Sequence, residues 1–366
     1  MTPPRFLGAA IFRAAIAAPP HPLATMRAPL AEDLARAMGW LGDGQYVEAP
    51  LAGRAALERF HRPDYLDALM RAETAQGISD AERERYRIGV DANPVHPAVY
   101  RRPATSAGGV ILAAALTAAG GVVQFPGAGN HHAWPDRASG FCYINDAVLG
   151  ILAWLDQGLS RIVYLDLDAH HGDGVEAAFA ADARVLTISV HEAGRWPGSG
   201  GASDPARGVL NYPVPAGFDD AGFMALLEAR ILPRIAAHRP EAIMLLPGAD
   251  ALADDAMSRL ALSNRALWAA VASIRPMAPR LIVLGGGGYN PYALARAWAG
   301  IWAVLNDHAI VDRLPAAALD VLAQISYFRA RHRPRPEHWL TSIADPPQSG
   351  ANQAGADRAV WTGERQ

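Results

Sequence analysis

The sequence predicts a single doubly wound α/β domain, in which helices cover both faces of a mainly parallel sheet. Two observations carry this. Apolar runs of strand length recur at Gly121–Phe125, Arg161–Leu165, Arg184–Val190, Ala242–Leu246 and Arg280–Leu284. Between them lie longer segments with helical spacing, at 106–119, 140–157, 219–237, 257–275 and 291–306. Strands that read as continuous apolar runs are buried on both faces, which is the signature of a parallel sheet. Right-handed crossovers then wind the helices onto both sides. The 51% hydrophobic content supplies such a core, and no internal repeat competes with this reading.

In chain order, Phe6–Phe12 reads as a short buried strand, because Arg13 interrupts it too early for a signal peptide. The first hundred residues read as mostly helical, with breaks at Pro19-Pro20, Pro94 and Pro97. One catalytic domain is expected over residues 1–340, and a polar, turn-rich, loose tail over 341–366. No stretch of about 20 apolar residues lacks a charge or turn signal, so no membrane span is expected. The single cysteine, Cys142, excludes an intramolecular disulfide and suits a reducing, cytoplasmic compartment. All 33 basic residues are arginine, a bias expected of a GC-rich, bacterial genome. The net charge of −3 and the lack of a basic block argue against nucleic-acid binding.

Polar residues of unusual type fall just beyond the strand runs, where open α/β sheets bind ligands. Run 121–125 leads into His131-His132. Run 161–165 leads into Asp166-Leu-Asp168-Ala-His170-His171-Gly-Asp173. Run 242–246 leads into Pro247-Gly-Ala-Asp250, and run 280–284 into four glycines and Tyr289-Asn290. In extended chain Asp166, Asp168 and His170 share a face, and such crowding needs a compensating cation. Imidazole with carboxylates and no sulfur suits one catalytic Zn²⁺, with Asp168, His170 and Asp250 as ligands and an open position for water. Asp166 and Asp173 are spare carboxylates suited to orienting imidazoles. His131 and His132 are candidates for general base and acid, and the Tyr289 phenol for stabilising a developing oxyanion. The glycine run lacks both the lysine of a P-loop and a GxGxxG continuation, so a phosphate site is a weak reading.

These segments together resemble the histone deacetylase family, with its acetoin-utilisation and acetylpolyamine branches. The matching residues are His131-His132-Ala133, Ser139–Asp146, Tyr164–Gly174, Gly248-Ala-Asp250 and Gly285–Asn290, over roughly residues 15–310. The resemblance implies an arginase-like fold with about eight strands, zinc on Asp168, His170 and Asp250, and an acid–base pair at His131 and His132. It also implies that Tyr289 polarises the scissile carbonyl and that Asp166 and Asp173 partner the histidines. A structural K⁺ would sit on main-chain oxygens of the run including Asp166, Asp168 and His170, with Ser189 and Val190. Gly140, Phe141, Trp196, Met257 and Gly287 would line a substrate tunnel, and Arg27 a product channel. Three departures bear on the rim. The family's Gly-Asp-Pro reads Asp254-Asp255-Ala256, Trp196 replaces a phenylalanine, and the rim acid matches only Asp91, displaced by about one residue. The expected substrate is acyl-lysine in a peptide or protein, with small acylated amines such as acetylpolyamines as the alternative. A non-catalytic acyl-lysine binder and a binuclear manganese hydrolase are weaker readings.

Overall fold

In a computed structural model, residues 3–14, 16–17, 21–24, 26–311, 313–327 and 335–346 are described. Eight strands form one sheet: β1 (Arg5–Gly8), β2 (Tyr46–Glu48), β3 (Gly121–Phe125), β4 (Ile162–Asp166), β5 (Val185–Glu192), β6 (Val209–Val214), β7 (Ala242–Leu246) and β8 (Arg280–Leu284). Their order is β2-β1-β3-β8-β7-β4-β5-β6, and every pairing is parallel. The central strands β4 and β7 are buried at every residue, as their unbroken apolar runs require.

Alternation along each strand divides the core in two. Val163 and Leu165 point into one cluster with the helices Ala28–Ala37, Asn264–Ile274 and Pro291–Leu305. Ile162 and Tyr164 point into the other, with the helices Arg101–Leu116 and Asp146–Asp156. A third cluster, around Tyr65, Leu69 and Ile144, packs the helix Pro63–Ala75 beside the second.

The structure corrects several boundaries. The first hundred residues are not mostly helical, since they supply two strands and several 3₁₀ turns. Strand β6 escapes a sequence reading because Pro213 interrupts it; as an edge strand, β6 tolerates the missing donor. The segment 140–157 becomes helical only after Asn145, whose side chain caps Val148 N at 3.1 Å. Segment 257–275 starts its helix at Asn264, and segment 219–237 is broken by a π-helical turn, Leu227–Ile231, ahead of Pro233.

The expected loose tail from 341 begins inside a packed segment. Ile343 and Ala344 are buried, Asp345 pairs with the fully buried Arg296, and Asn264 bonds the backbone at both 343 and 345. A buried guanidinium needs a carboxylate, which ties this segment to the body. Residues 347–366 of that expected tail lie outside the described residues. No helix among the described residues is long and apolar enough to cross a membrane.

Candidate metal and acid–base site

The four strand ends singled out by the sequence belong to β3, β8, β7 and β4, which are consecutive neighbours in the sheet. Their carboxyl ends therefore bring His131-His132, Tyr289, Asp250 and the 166–173 run to one rim.

Asp168, His170 and Asp250 converge, with one ligand atom from each within 4.8 Å of the others. His170 Nδ1 lies 2.9 Å from Asp250 Oδ2 and 3.2 Å from Asp168 Oδ1. The remaining carboxylate oxygens are held by backbone: Gly287 N donates to Asp168 at 2.6 Å and Ala169 N to Asp250 at 3.1 Å. Burial disfavours charge on His170, yet its bonds to the two acids outweigh this and raise it to about 10. Burial and the neighbouring Asp168 push Asp250 up to about 7. Two buried carboxylates thus compete for one positive charge, and the donor set of two oxygens and one imidazole nitrogen fits a divalent zinc.

Two histidine–carboxylate dyads flank this triad. His131 Nδ1 sits 2.7 Å from Asp166 Oδ2, which also accepts from Tyr164 Oη at 2.7 Å. His132 Nδ1 sits 2.7 Å from Asp173 Oδ1, whose other oxygen accepts from Trp134 Nε1 at 3.2 Å. In each dyad the Nδ1 atom is engaged, which leaves Nε2 as the atom able to meet a substrate. Burial opposes charge on both rings. For His131 the charges of Asp166 and Asp168 prevail and raise it to about 9, whereas His132 falls to about 4 under burial and the adjacent His131. The pair therefore divides into one imidazolium and one neutral ring, with ring centroids 3.9 Å apart.

Tyr289 is buried, and its loop is set by Asp255, which accepts from Tyr289 N at 2.6 Å, Asn290 N at 2.9 Å and Met257 N at 2.9 Å. The departure Asp254-Asp255-Ala256 thus keeps the carboxylate that positions the tyrosine. Phenol burial holds Tyr289 well above its ordinary pKa, so it carries its proton.

Outward from the triad, Gly140, Phe141, Trp196 and Met257 line an open tunnel with His132, His170 and Tyr289. Gly140 and Phe141 are both left-handed, at φ +52° and +68°, and Asn93 Oδ1 accepts from Phe141 N at 3.0 Å. A Cβ on Gly140 would meet the Trp196 ring at 2.3 Å. Gly287 is not a tunnel residue. It lines an inner cavity behind the triad, and a Cβ there would meet Asp250 at 2.0 Å, so glycine lets the backbone seat the carboxylates.

Asp91 does not line the mouth either. Its carbonyl accepts from His21 Nε2 at 2.9 Å, and Asn93 occupies the rim instead. Arg27 lines the inner cavity beside Tyr289, 5.3 Å from its ring, and donates to Gly286 O. Ser189 pairs with Asp166 in the β4–β5 register, and Val190 follows it on the same strand. Sequence reading missed Tyr164, Trp134 and Asn93 as positioning groups, and His96 and Arg102 on the cavity wall. Tyr164 opens the matched run Tyr164–Gly174, but its apolar strand setting gave no sign that its hydroxyl reaches Asp166; the others lie outside the metal-binding runs, so no spacing signal marked them.

A parallel α/β sheet with a carboxylate–imidazole centre at its carboxyl rim defines a hydrolase-type site. The chain matches the histone deacetylase domain over residues 21–305. Histone deacetylase 8 of Xenopus tropicalis is 33% identical over 299 residues, covering 79% of this chain and 80% of that protein. A putative histone deacetylase 2 of Caenorhabditis elegans is 34% identical over 310 residues, but these span 61% of its length. Among solved structures, a histone deacetylase homologue from Aquifex aeolicus superposes with TM-score 0.88 at 32% identity, covering 94% of this chain and 95% of that one. A histone deacetylase homologue in complex with SAHA gives TM-score 0.90 at 31% identity, covering 97% of this chain and 98% of that one. The chain belongs to the histone deacetylase family, whose members are amidohydrolases.

Proposed function

We propose that this protein hydrolyses the amide of an acyl-lysine side chain in a peptide or protein, releasing a short carboxylate, with one Zn²⁺ held by Asp168, His170 and Asp250. The observation that carries this reading is the pair of histidine–aspartate dyads packed against the triad, with His131 Nε2 3.9 Å from Asp168 Oδ1, the His132 ring centroid 6.2 Å from that of His170, and Tyr289 lining the same tunnel. When bound, the zinc would polarise the scissile carbonyl and acidify a water at its open position. The neutral ring, His132, is suited to accept the proton of the attacking water, with Asp173 stabilising the charge that results. The imidazolium, His131, is suited to protonate the departing amine, with Asp166 holding its orientation. Tyr289 donates from its phenol to the oxygen on which charge develops.

Phe141 and Trp196 wall a tunnel suited to an extended aliphatic stem, which gains from area burial along its length. The mouth carries Arg87, Arg137 and Arg195 and, among the described lining residues, no carboxylate. A polycationic acetylpolyamine would meet like charge there, which favours acyl-lysine over that alternative. Arg27 would serve the leaving carboxylate, and a K⁺ would sit on main-chain oxygens of the 166–170 run with Ser189 and Val190. The catalytic domain would span 1–340 with the packed segment through 346 as its closing strap.

The test loads purified protein with zinc and assays acetyl-lysine peptides beside acetylpolyamines. Release of acetate from the peptides, lost in His132→Ala and Tyr289→Phe with zinc content unchanged, is expected. Full activity in both variants would sink the assignment of roles.

A further inference from the structure

The mouth of the tunnel is built by three loops, and each puts one arginine on it. Arg87 follows the helix Asp80–Tyr86, Arg137 lies beyond His131-His132, and Arg195 precedes Trp196 in the loop after β5. Arg87 is exposed, and among the described residues its side chain has no hydrogen-bond or ion-pair partner. Arg137 lies over the Trp134 ring, 4.3 Å from its centroid, and pairs with the half-exposed Asp136 at 3.1 Å. Arg195 is aimed by Met257, whose carbonyl accepts from Nη1 at 2.7 Å, and by Glu192, which accepts from Nε.

The acids nearby do not cancel this charge at the opening. Glu192 is buried, and Arg195 shares it with the amide and Nε of Arg259. Asp91 lines a neighbouring groove with His21 and Arg83. Asp136 makes the kind of exposed pair that water and salt weaken most. Asn93, which holds the rim where an acid is expected, is buried; its Oδ1 accepts from Phe141 N and its Nδ2 donates to Arg87 O, each at 3.0 Å. With that amide engaged at both ends, charge recognition outside the tunnel falls to the guanidinium groups.

We propose that the mouth selects acyl-lysine flanked by acidic residues, with the unpartnered Arg87 as the main contact and Arg137 and Arg195 beside it. The selection among substrates rests on the deacylase reading, while the charge preference in binding does not. A guanidinium can meet a carboxylate with two parallel N–H···O bonds, and the same groups repel a basic flank. Contacts to the flanks are made alike before and during the reaction, so the preference is expected in KM rather than in kcat.

Three peptides decide the matter, each capped at both ends and alike except for Glu, Gln or Lys on either side of one acetyl-lysine. With the full-length, zinc-loaded chain at low ionic strength, kcat/KM is expected to fall in the order Glu, Gln, Lys, by about two- to fivefold per charge, the scale of an exposed ion pair. Raising the ionic strength from about 0.01 to about 1 M shortens the screening length from about 30 to about 3 Å, which should bring the ratios towards one. Arg87→Asn removes the charge and suits the left-handed backbone there, at φ +56°. It should lower the Glu-to-Gln ratio by about twofold or more, and Arg87→Lys should restore part of it.

Equal rates on the three peptides, or a preference for the Lys peptide, overturn the proposal, as does a Glu preference that Arg87→Asn leaves at its wild-type size. Should that variant not fold, the wild type decides: a Glu preference that high salt abolishes supports the charged mouth, and one that salt leaves intact overturns it. Fluorescence polarisation with labelled forms of the same peptides separates the two readings. Tighter binding of the Glu peptide by a chain that hydrolyses none of the three sinks the deacylase reading and keeps the mouth. Hydrolysis of all three at one rate does the reverse.

Discussion

Asp173 illustrates how much of the site rests on groups that touch no substrate. It holds His132 Nδ1 at 2.7 Å and is itself steadied by Trp134. Asp173→Asn would keep the shape but lose the charge that favours the imidazolium. We expect kcat/KM on an acetyl-lysine peptide to fall by roughly 10- to 100-fold at unchanged zinc content, the usual scale for a carboxylate partner of a functional imidazole. Gly287→Ala acts on the metal instead. Its Cβ would meet Asp250 at 2.0 Å and Asp168 at 2.8 Å, so zinc per chain, read by atomic absorption, is expected to drop well below one.

Single groups also set the acid response. His61, His96 and His191 are each held at about 4, chiefly by burial, against 6.5 in the free state. The unfolded chain therefore binds protons between about pH 6.5 and 4 that the native chain does not. Stability from these rings is fully present above pH 6.5 and is lost as pH falls towards 4. His61→Gln should flatten the dependence of Tm on pH across that window; an unchanged slope would exclude His61 as a contributor.

At the scale of elements, the loop after Asp250 works as a clamp between β7 and β8. Asp255 collects the amides of Met257, Tyr289 and Asn290, so the loop that carries the phenol is tied to the loop that carries a proposed ligand. Removing that acceptor leaves buried donors unsatisfied at about 1–3 kcal/mol for each lost bond. Asp255→Ala should lower stability by at least one such increment and, under the proposed role of the phenol in meeting the developing charge, reduce kcat more than it raises KM. A stopped-assay comparison with Tyr289→Phe checks this: the double variant should be no slower than the Tyr289→Phe single variant if Asp255 acts through the tyrosine. Helix starts follow the same local logic. Asn145 and Asn290 cap the helices that leave the site, which fixes where each loop stops and its functional residues begin.

For the molecule as a whole, the C-terminal segment closes the structure over the helix Pro291–Leu305. Asp345 neutralises Arg296, whose side chain is 0% exposed, while His338 and Trp339 hold Asp254 at 3.0 and 2.5 Å. Breaking a buried pair by removing one partner costs roughly 3–5 kcal/mol. Asp345→Ala should therefore lower the urea midpoint strongly while leaving the m-value unchanged, a result that truncation after 334 would reproduce. A loss below about 1 kcal/mol would show that the guanidinium finds another acceptor.

The sequence by itself determined the fold class, the central strands and which polar residues stand at their ends. Those strands are continuous apolar runs, and the acids, histidines and tyrosine follow them within a few residues, so local pattern and the candidate site coincide. Edge strands were not legible: β2 is three residues long and β6 contains Pro213, too little regular pattern to detect. Tertiary structure alone decided which strand ends are neighbours, and it moved Gly287 from the tunnel to the cavity and put Asn93, not Asp91, at the rim. It also assembled Arg27, His96 and Arg102 into one wall. Their side chains come from two helix starts and a loop, where direction is set by packing between elements rather than by any spacing along the chain.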